Sequence, residues 1–402
     1  MLKEKKEAIT PTKEEQEILT GKDGLQRYFK KIKEILKEYM DMNEGAYSLV
    51  ALWIIGTYLH KQFSSYPYLF FNAMKGSGKT RILKIISNLS KNGKVAGSMT
   101  EAVLFRTAYE RTLCIDELEG INAKGNENLK LLLNSAYKKG LNVERMRKDK
   151  NEGQIVEEFE VYCPIAIANI RGLDNVLYDR CISVILERSS KKEITRLIEN
   201  FENDINFKTI RGGLLRITEN IGDNFNWFGD LFTEWNSCTK GNEFNKEYKE
   251  LFDKIGNENI EGRNLELFFP LFIIADMCGD RVLNEVVEIS KTIIKERKEK
   301  DREENSDVQI YEFVAQYEDT GFISVADLVK QFKEFGEYGD SDKWVSSIWF
   351  GRGLRRLNLV LDDRRRQKRE VRLNIEKAKE KLKTLIEPDK IDFQEELKGV
   401  LA

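Results

Sequence analysis

Residues 68–89 leave this chain few ways to fold. Tyr68-Leu69-Phe70-Phe71 is an apolar run with strand character, and Ala73-Met74-Lys75-Gly76-Ser77-Gly78-Lys79-Thr80 is a glycine turn. From Arg81 to Leu89 the apolar residues return at helical spacing. Strand, glycine turn, Lys-Thr and helix in that order is the pattern of a phosphate-binding loop. Gly76 and Gly78 allow backbone N–H groups to turn inward around an anion. In such a loop Lys79 faces the β- and γ-phosphates, and Thr80 offers its hydroxyl to Mg²⁺ at a helix N-terminus. The expected nucleotide-binding set is therefore Ala73, Lys75, Gly76, Ser77, Gly78, Lys79 and Thr80. Ala73 stands where these loops usually carry their first glycine.

A chain of 402 residues can hold two to three domains. Its 33% charged residues suit a globular surface, and no apolar stretch approaches membrane-spanning length. The N-terminus, Met-Leu-Lys-Glu-Lys-Lys-Glu, lacks the apolar core of a signal peptide, so a cytoplasmic location is expected. Five widely spaced cysteines read as reduced core thiols. With His60 the only histidine, histidine triads and most histidine metal sites are excluded.

The fold class predicted is α/β: a parallel sheet flanked by helices, then a helical lid and a winged helix-turn-helix. The expected strands are 68–72, 94–97, 112–116, 162–168 and 181–186, which alternate with helical stretches. The boundaries read as an N-terminal helical region at 1–45, an ATPase core at 46–190, and a lid at 191–304. A winged helix at 305–375 and a charged helical tail at 376–402 follow. Within the lid, Ile194–Phe201 and Leu265–Met277 are amphipathic, and 237–262 reads as a polar loop. The charge run 298–307 is a linker or a solvated helix end.

The second half of a nucleotide site reads from Thr112-Leu-Cys-Ile-Asp116-Glu117, an apolar strand ending in two acids. After a phosphate-binding loop, Asp116 is expected to hold Mg²⁺ and Glu117 to orient the attacking water. A further strand ends at Asn169, which either senses the γ-phosphate or caps a turn. Arg180 precedes the strand Cys181–Leu186; it either projects from the domain edge or pairs with Asp179 on the surface.

Together these residues resemble an AAA+ ATPase: Walker A at 73–80, Walker B at 112–117, sensor Asn169 and an arginine finger at Asp179-Arg180-Cys181. The last step looks like the Ser-Arg-Cys step of clamp-loader subunits. More closely, Asn72–Leu89, Thr100–Arg106, Leu131–Gly140 and Gly262-Arg263 with Leu267–Asp276 look like the ATPase modules of phage and plasmid primase-helicase proteins. The resemblance implies ATP and Mg²⁺ as cofactors and ATP bound between subunits of a hexameric ring, with Arg180 acting in trans. It also implies that Arg263 touches the γ-phosphate from the lid.

Two features point to nucleic acid. Residues 140–157 alternate on either side of a Lys-Asn-Glu-Gly turn and read as a hairpin. Its Arg145, Arg147, Lys148 and Lys150 would meet a phosphate backbone, or else decorate a solvated tip. In the second feature, helices at 308–317, 325–335 (capped by Ser324) and 344–357 precede a hairpin. From 352 to 372 there are nine Lys or Arg and three acids, a local net of +6 in a chain of net −2. That reads as a footprint for phosphates through Arg355, Arg356, Arg364, Arg365, Arg366, Lys368 and Arg369. Winged helices also mediate protein contacts. The sequence thus predicts an oligomeric helicase or translocase acting on DNA in replication of a mobile element, with a primase or polymerase as a possible partner and no membrane. An ATP-switched initiator or loader, and a DNA-binding regulator with a structural nucleotide site, are the alternatives.

Overall fold

The computed structural model describes residues 22–97, 100–116, 118, 127–149, 153–170, 172–223, 231–236, 246–256, 260–304, 306–318, 321–336, 338–339, 342, 345–365 and 368–386. The chain forms two compact units, Met1–Thr292 and Ile293–Ala402. In the first, five parallel strands lie in the order β2 (Gly93–Ala96), β3 (Thr112–Asp116), β6 (Ile165–Asn169), β1 (Tyr68–Ala73) and β7 (Cys181–Leu186). Parallel strands need helical crossovers and are covered on both faces, which is why β1, β3 and β6 are nearly all buried. The central fold is thus mixed α/β, a five-stranded parallel sheet flanked by helices, as expected. β6 starts later than its apolar run because Pro164 has no N–H to give the ladder.

Among the described residues two α-helices precede β1. Lys22–Tyr39 is amphipathic, whereas Glu44–Gly56 is buried almost all round. Asn43 caps the second by accepting from Ala46 N, and Trp53 is fixed where its Nε1–H donates to Pro67 O at 2.7 Å. Met40–Asp41 lies between these helices and becomes a wall of the site.

Beyond β7 two expectations are corrected. Ile194–Phe201 is not an amphipathic helix: only Lys192–Thr195 is helical. The carbonyls of Ile194 and Leu197, which a longer helix would use internally, instead accept from Arg81. The stretch 237–262 is not wholly a loop, because Lys246–Gly256 is a helix that buries Tyr248, Leu251, Phe252 and Ile255 at helical spacing. Gly262–Cys278 is a helix buried along most of its length, and the helix Asp280–Glu304 runs through most of the charged stretch. Among the described residues no helix is long and apolar enough to cross a membrane, and Cys114, Cys163, Cys181 and Cys278 are buried free thiols.

β4 (Val143–Asp149) and β5 (Gly153–Phe159) form the expected antiparallel hairpin before β6, paired from Val143↔Phe159 to Asp149↔Gly153.

The second unit has helices Ser306–Ala315, Val325–Phe335 and Ser347–Arg356. A sheet in the order β8 (Ile323–Ser324), β10 (Arg369–Leu373), β9 (Val360–Arg365) completes it. Phe313, Leu328, Phe332, Phe350, Leu354 and Val371 fill its core, which also takes in Ala378 from the helix Ile375–Ile386. Ser324 precedes its helix without capping it: its Oγ is buried and makes no hydrogen bond among the described residues. Ser346 caps the third helix by accepting from Trp349 N at 3.3 Å. Trp344, the expected first residue of that helix, lies outside the described residues.

Candidate functional site

The loop after β1 has the backbone of an anion cradle. Gly76 and Gly78 hold φ of 81° and 90°, a left-handed conformation that side chains oppose. At Gly78 an added Cβ would also meet Met40 Cε at 3.1 Å. Ser77 closes the turn from both backbone and side chain, each donating to Met74 O. Ala73 is the last residue of β1 and is not among the positive-φ residues, so a glycine is not needed there. Lys79 opens the helix Lys79–Leu89, at the end where the helix dipole and free N–H groups favour an anion.

β6 separates β1 from β3, yet the two strand ends converge on one hydrogen bond. Thr80 Oγ1 donates to Asp116 Oδ2 at 2.6 Å. Asp116 is buried, and its Oδ1 has no hydrogen-bond partner among the described residues. A buried carboxylate oxygen without a donor is costly, and a hard divalent cation satisfies it. Thr80 and Asp116 thus fit a Mg²⁺ at the loop. Asn169 ends β6, level with Asn72 and one residue past the partner of Asp116. It is buried, and its Nδ2 donates to Gly172 O at 2.8 Å. Glu117, expected to orient water, lies outside the described residues.

A cavity of about 480 Å³ opens over the loop. That is large enough for a nucleotide-sized ligand. Its floor is Gly76–Arg81, and its walls are Tyr39–Asp41, Glu187–Ser189, Ile194, Thr195 and Glu199. These walls were missed in the sequence, because they come from segments distant along the chain. Arg81 joins them. Its guanidinium donates to Ile194 O at 2.9 Å, Leu197 O at 3.0 Å, Glu199 Oε1 at 3.3 Å and Tyr39 O at 3.5 Å. A signal was present: a cation in the first turn of a helix opposes the dipole and calls for partners. Burial raises the Glu199 carboxyl, but hydrogen bonds from Lys84 and Arg81 outweigh it and hold it below its ordinary value. On the other wall Asp41 accepts from Lys191 Nζ and Ser189 Oγ, each at 2.8 Å. These bonds, Lys191 first, keep its carboxyl below the usual range.

Arg180 and Arg263 are not at this cavity. Tyr68 pairs with Cys181 and Ala73 with Leu186, so Arg180 begins β7 at the end of the sheet away from the loop. The intervening strand spans about 16 Å. Arg180 donates to Val176 O, and its Nε is buried with no hydrogen-bond partner among the described residues. Asp179 does not pair with it; Asp179 Oδ2 instead accepts from Arg263 Nε at 2.9 Å. Arg263 also donates to Glu266 and lies 5.4 Å over the Tyr137 ring. Arg263, expected to contact the γ-phosphate from the lid, thus has these partners rather than a place at the loop cavity in this structure. Its helix begins beside Asp179, and two carboxylates hold it at the far end of the strands.

The basic residues are placed unevenly. Arg145 pairs with Glu101 and lies 5.5 Å over the Phe105 ring, on the half-buried face of the hairpin. Arg147 and Lys148 lie on β4, while Lys150 lies outside the described residues. In the second unit Arg355 pairs with Asp363, Arg356 with Asp307 at 2.6 Å, Arg369 with Asp363 at 2.9 Å and Arg364 with Glu370 at 2.6 Å. Arg364 also stacks 3.9 Å over Phe322. Arg365 and Lys368 are exposed, and Arg366 lies outside the described residues.

No protein-family model matches the chain. No curated protein matches it either. Among solved structures, one titled as the SCCmec type IV Cch active helicase is similar at 14% identity and a TM-score of 0.38, over 89% of this chain and 67% of that one. The apo C-terminal region of NrS-1 is similar at 11% identity and a TM-score of 0.34, over 86% of this chain and 75% of that one. At TM-scores this low, neither likeness carries the functional reading.

Proposed function

We propose that the chain is an ATPase of the AAA+ type that binds Mg²⁺·ATP in the loop cavity and couples its hydrolysis to movement on DNA. The observation that carries the nucleotide reading is the Thr80–Asp116 hydrogen bond beside left-handed Gly76 and Gly78. A glycine turn alone would not require a buried acid from another strand to meet the hydroxyl after Lys79.

In this reading Lys79 and the loop N–H groups hold the phosphates, while Thr80 and Asp116 hold the metal, which neutralises charge developing on the transferred phosphoryl group. Glu117 orients the attacking water, and Asn169 positions it or senses the γ-phosphate. Arg180 stands too far from its own loop to act there, which favours action on a neighbour's site and hence a ring. The second unit, read as a winged helix, and the β4–β5 hairpin would contact phosphates. Replication of a mobile element remains the setting suggested by the sequence resemblance.

The experiment is ATP hydrolysis with and without single-stranded DNA, alongside mass by light scattering. A DNA-coupled motor hydrolyses ATP faster with single strands and assembles beyond a monomer. Slow turnover with preference for duplex favours the initiator or loader. Absence of hydrolysis by an assembled, folded protein sinks the ATPase reading.

A further inference from the structure

The loop cavity contains a cation that the motif does not account for. Arg188 follows β7 by two residues, and the end of β7 is in register with the end of β1, since Leu186 pairs with Ala73. This brings residues 187–189 alongside the glycine turn, where all three line the cavity.

Of the other charged residues on its described walls, Asp41, Glu199 and Arg81 are already engaged, whereas Glu187, next to Arg188 along the chain, is exposed and makes no ion pair among the described residues. Asp41 is taken by Lys191 and Ser189, and Glu199 by Arg81 and Lys84. Arg81 is spent on three carbonyls and Glu199. Arg188 is exposed, and no ion pair or hydrogen bond of its guanidinium occurs among the described residues. The next residue, Ser189, is tied to Asp41 and accepts from Lys191 N at 3.1 Å, so the backbone carrying Arg188 is fixed as a wall. A guanidinium on an anchored segment, facing an anion cradle and lacking a carboxylate, is set to take a phosphate in fork geometry. Arg263, the arginine expected to bring that charge, is held by Asp179 and Glu266 at the far end of the strands.

We infer that Arg188 is a nucleotide-binding residue that contacts the phosphate chain of a nucleoside di- or triphosphate held in the same subunit's loop. The inference rests on the proposed nucleotide reading. It makes the site use two cations from its own chain, Lys79 from the loop and Arg188 from the end of β7.

The test is equilibrium binding of ATP, ADP and adenosine to the full chain and to Arg188→Ala, Arg188→Lys and Lys79→Ala. For ATP and ADP, Arg188→Ala should weaken binding about 10- to 100-fold, as loss of a charge-assisted hydrogen bond to phosphate does. Adenosine binding should change less than threefold, and Arg188→Lys should recover part of the loss. Arg188 is exposed, so an unfolding midpoint equal to wild type is expected and excludes a folding defect. ATP affinity of Arg188→Ala within twofold of wild type, while Lys79→Ala loses binding, overturns this inference and leaves the nucleotide reading standing. An equal loss for ATP and adenosine overturns it too, because the residue would then shape the cavity rather than hold phosphate. If the wild type binds none of the three, both readings fall.

Discussion

The loop cavity and the β9–β10 hairpin of the second unit are both rich in basic residues, yet their charge is used in opposite ways. At the cavity Asp41 and Glu199 are engaged by other groups, which leaves Lys79 and Arg188 unpaired among the described residues there. At the hairpin the local net of +6 already counts Asp363 and Glu370, but four of the nine cations are paired in space, with Arg355 and Arg369 sharing Asp363. A count along the chain measures composition. The charge open to a ligand depends on which acids the fold brings within reach. Ion pairs between exposed residues contribute only about 0–1 kcal/mol, so a phosphate can displace them, but the competing acid lowers the gain.

The largest effects should fall on the loop. Lys79→Ala should abolish measurable ATP binding. Glu117→Gln should retain binding and slow hydrolysis by about 10²–10⁴-fold, the range associated with proton-transfer catalysis. Near wild-type turnover in Glu117→Gln would break the assignment of the second acid. At the far end of the strands, Arg180→Ala should bind ATP and lose about 10³–10⁵ in rate if the residue serves a neighbour's site. Mixing it with Glu117→Gln should restore activity, since some interfaces then pair an intact Glu117 with an intact Arg180. A mixture that stays inactive although the two variants demonstrably co-assemble makes Arg180 a surface residue.

The hairpin offers a direct way to sharpen the comparison. Replacing exposed Arg365 and Lys368 with Gln should reduce the salt dependence of DNA binding by about 2 in log–log slope. Replacing Arg355 and Arg369, which share Asp363, should reduce it by less. Asp363→Asn should tighten binding, because it frees two guanidinium groups and removes a repelling charge. Equal slopes for the two double variants would mean that DNA displaces the ion pairs completely, and the contrast with the cavity would disappear.

A smaller effect concerns a charge the fold excludes. Burial pushes His60 down to about 4 from an ordinary 6.5, against the backbone hydrogen bond of its Nδ1–H to Thr57 O at 2.8 Å. Below pH 6.5 the unfolded chain takes up a proton that the folded chain refuses. The stability from neutral His60 is therefore complete above pH 6.5 and is lost as pH falls towards 4. Linkage puts the full effect at about 3 kcal/mol, with only part of it reached at pH 5. Denaturant unfolding of the first unit between pH 7.5 and 5 should show this slope, and His60→Gln should flatten it. An unchanged slope in the variant would assign the acid sensitivity to other groups.

The sequence by itself determined the elements whose physics is local. Apolar runs specified the five strands to within a few residues, because a strand buried on both faces needs uninterrupted hydrophobic residues. Gly76, Gly78, Lys79 and Thr80 specified the cradle, because φ above zero and a cation at a helix start depend only on neighbours along the chain. The alternation around the turn at 149–153 specified the β4–β5 hairpin for the same reason. Tertiary structure decided which distant groups share a space. Parallel register set Leu186 beside Ala73, which brought Arg188 to the loop and put Arg180 at the other end of the sheet. Strand order set Asp116 against Thr80 across an intervening strand. Arg81 took the carbonyls of Ile194 and Leu197 and so ended a helix that its own pattern favoured. Arg263 went to Asp179 and Arg145 to Glu101, because a guanidinium takes the nearest carboxylate the fold supplies, and nearness in space is not written along the chain.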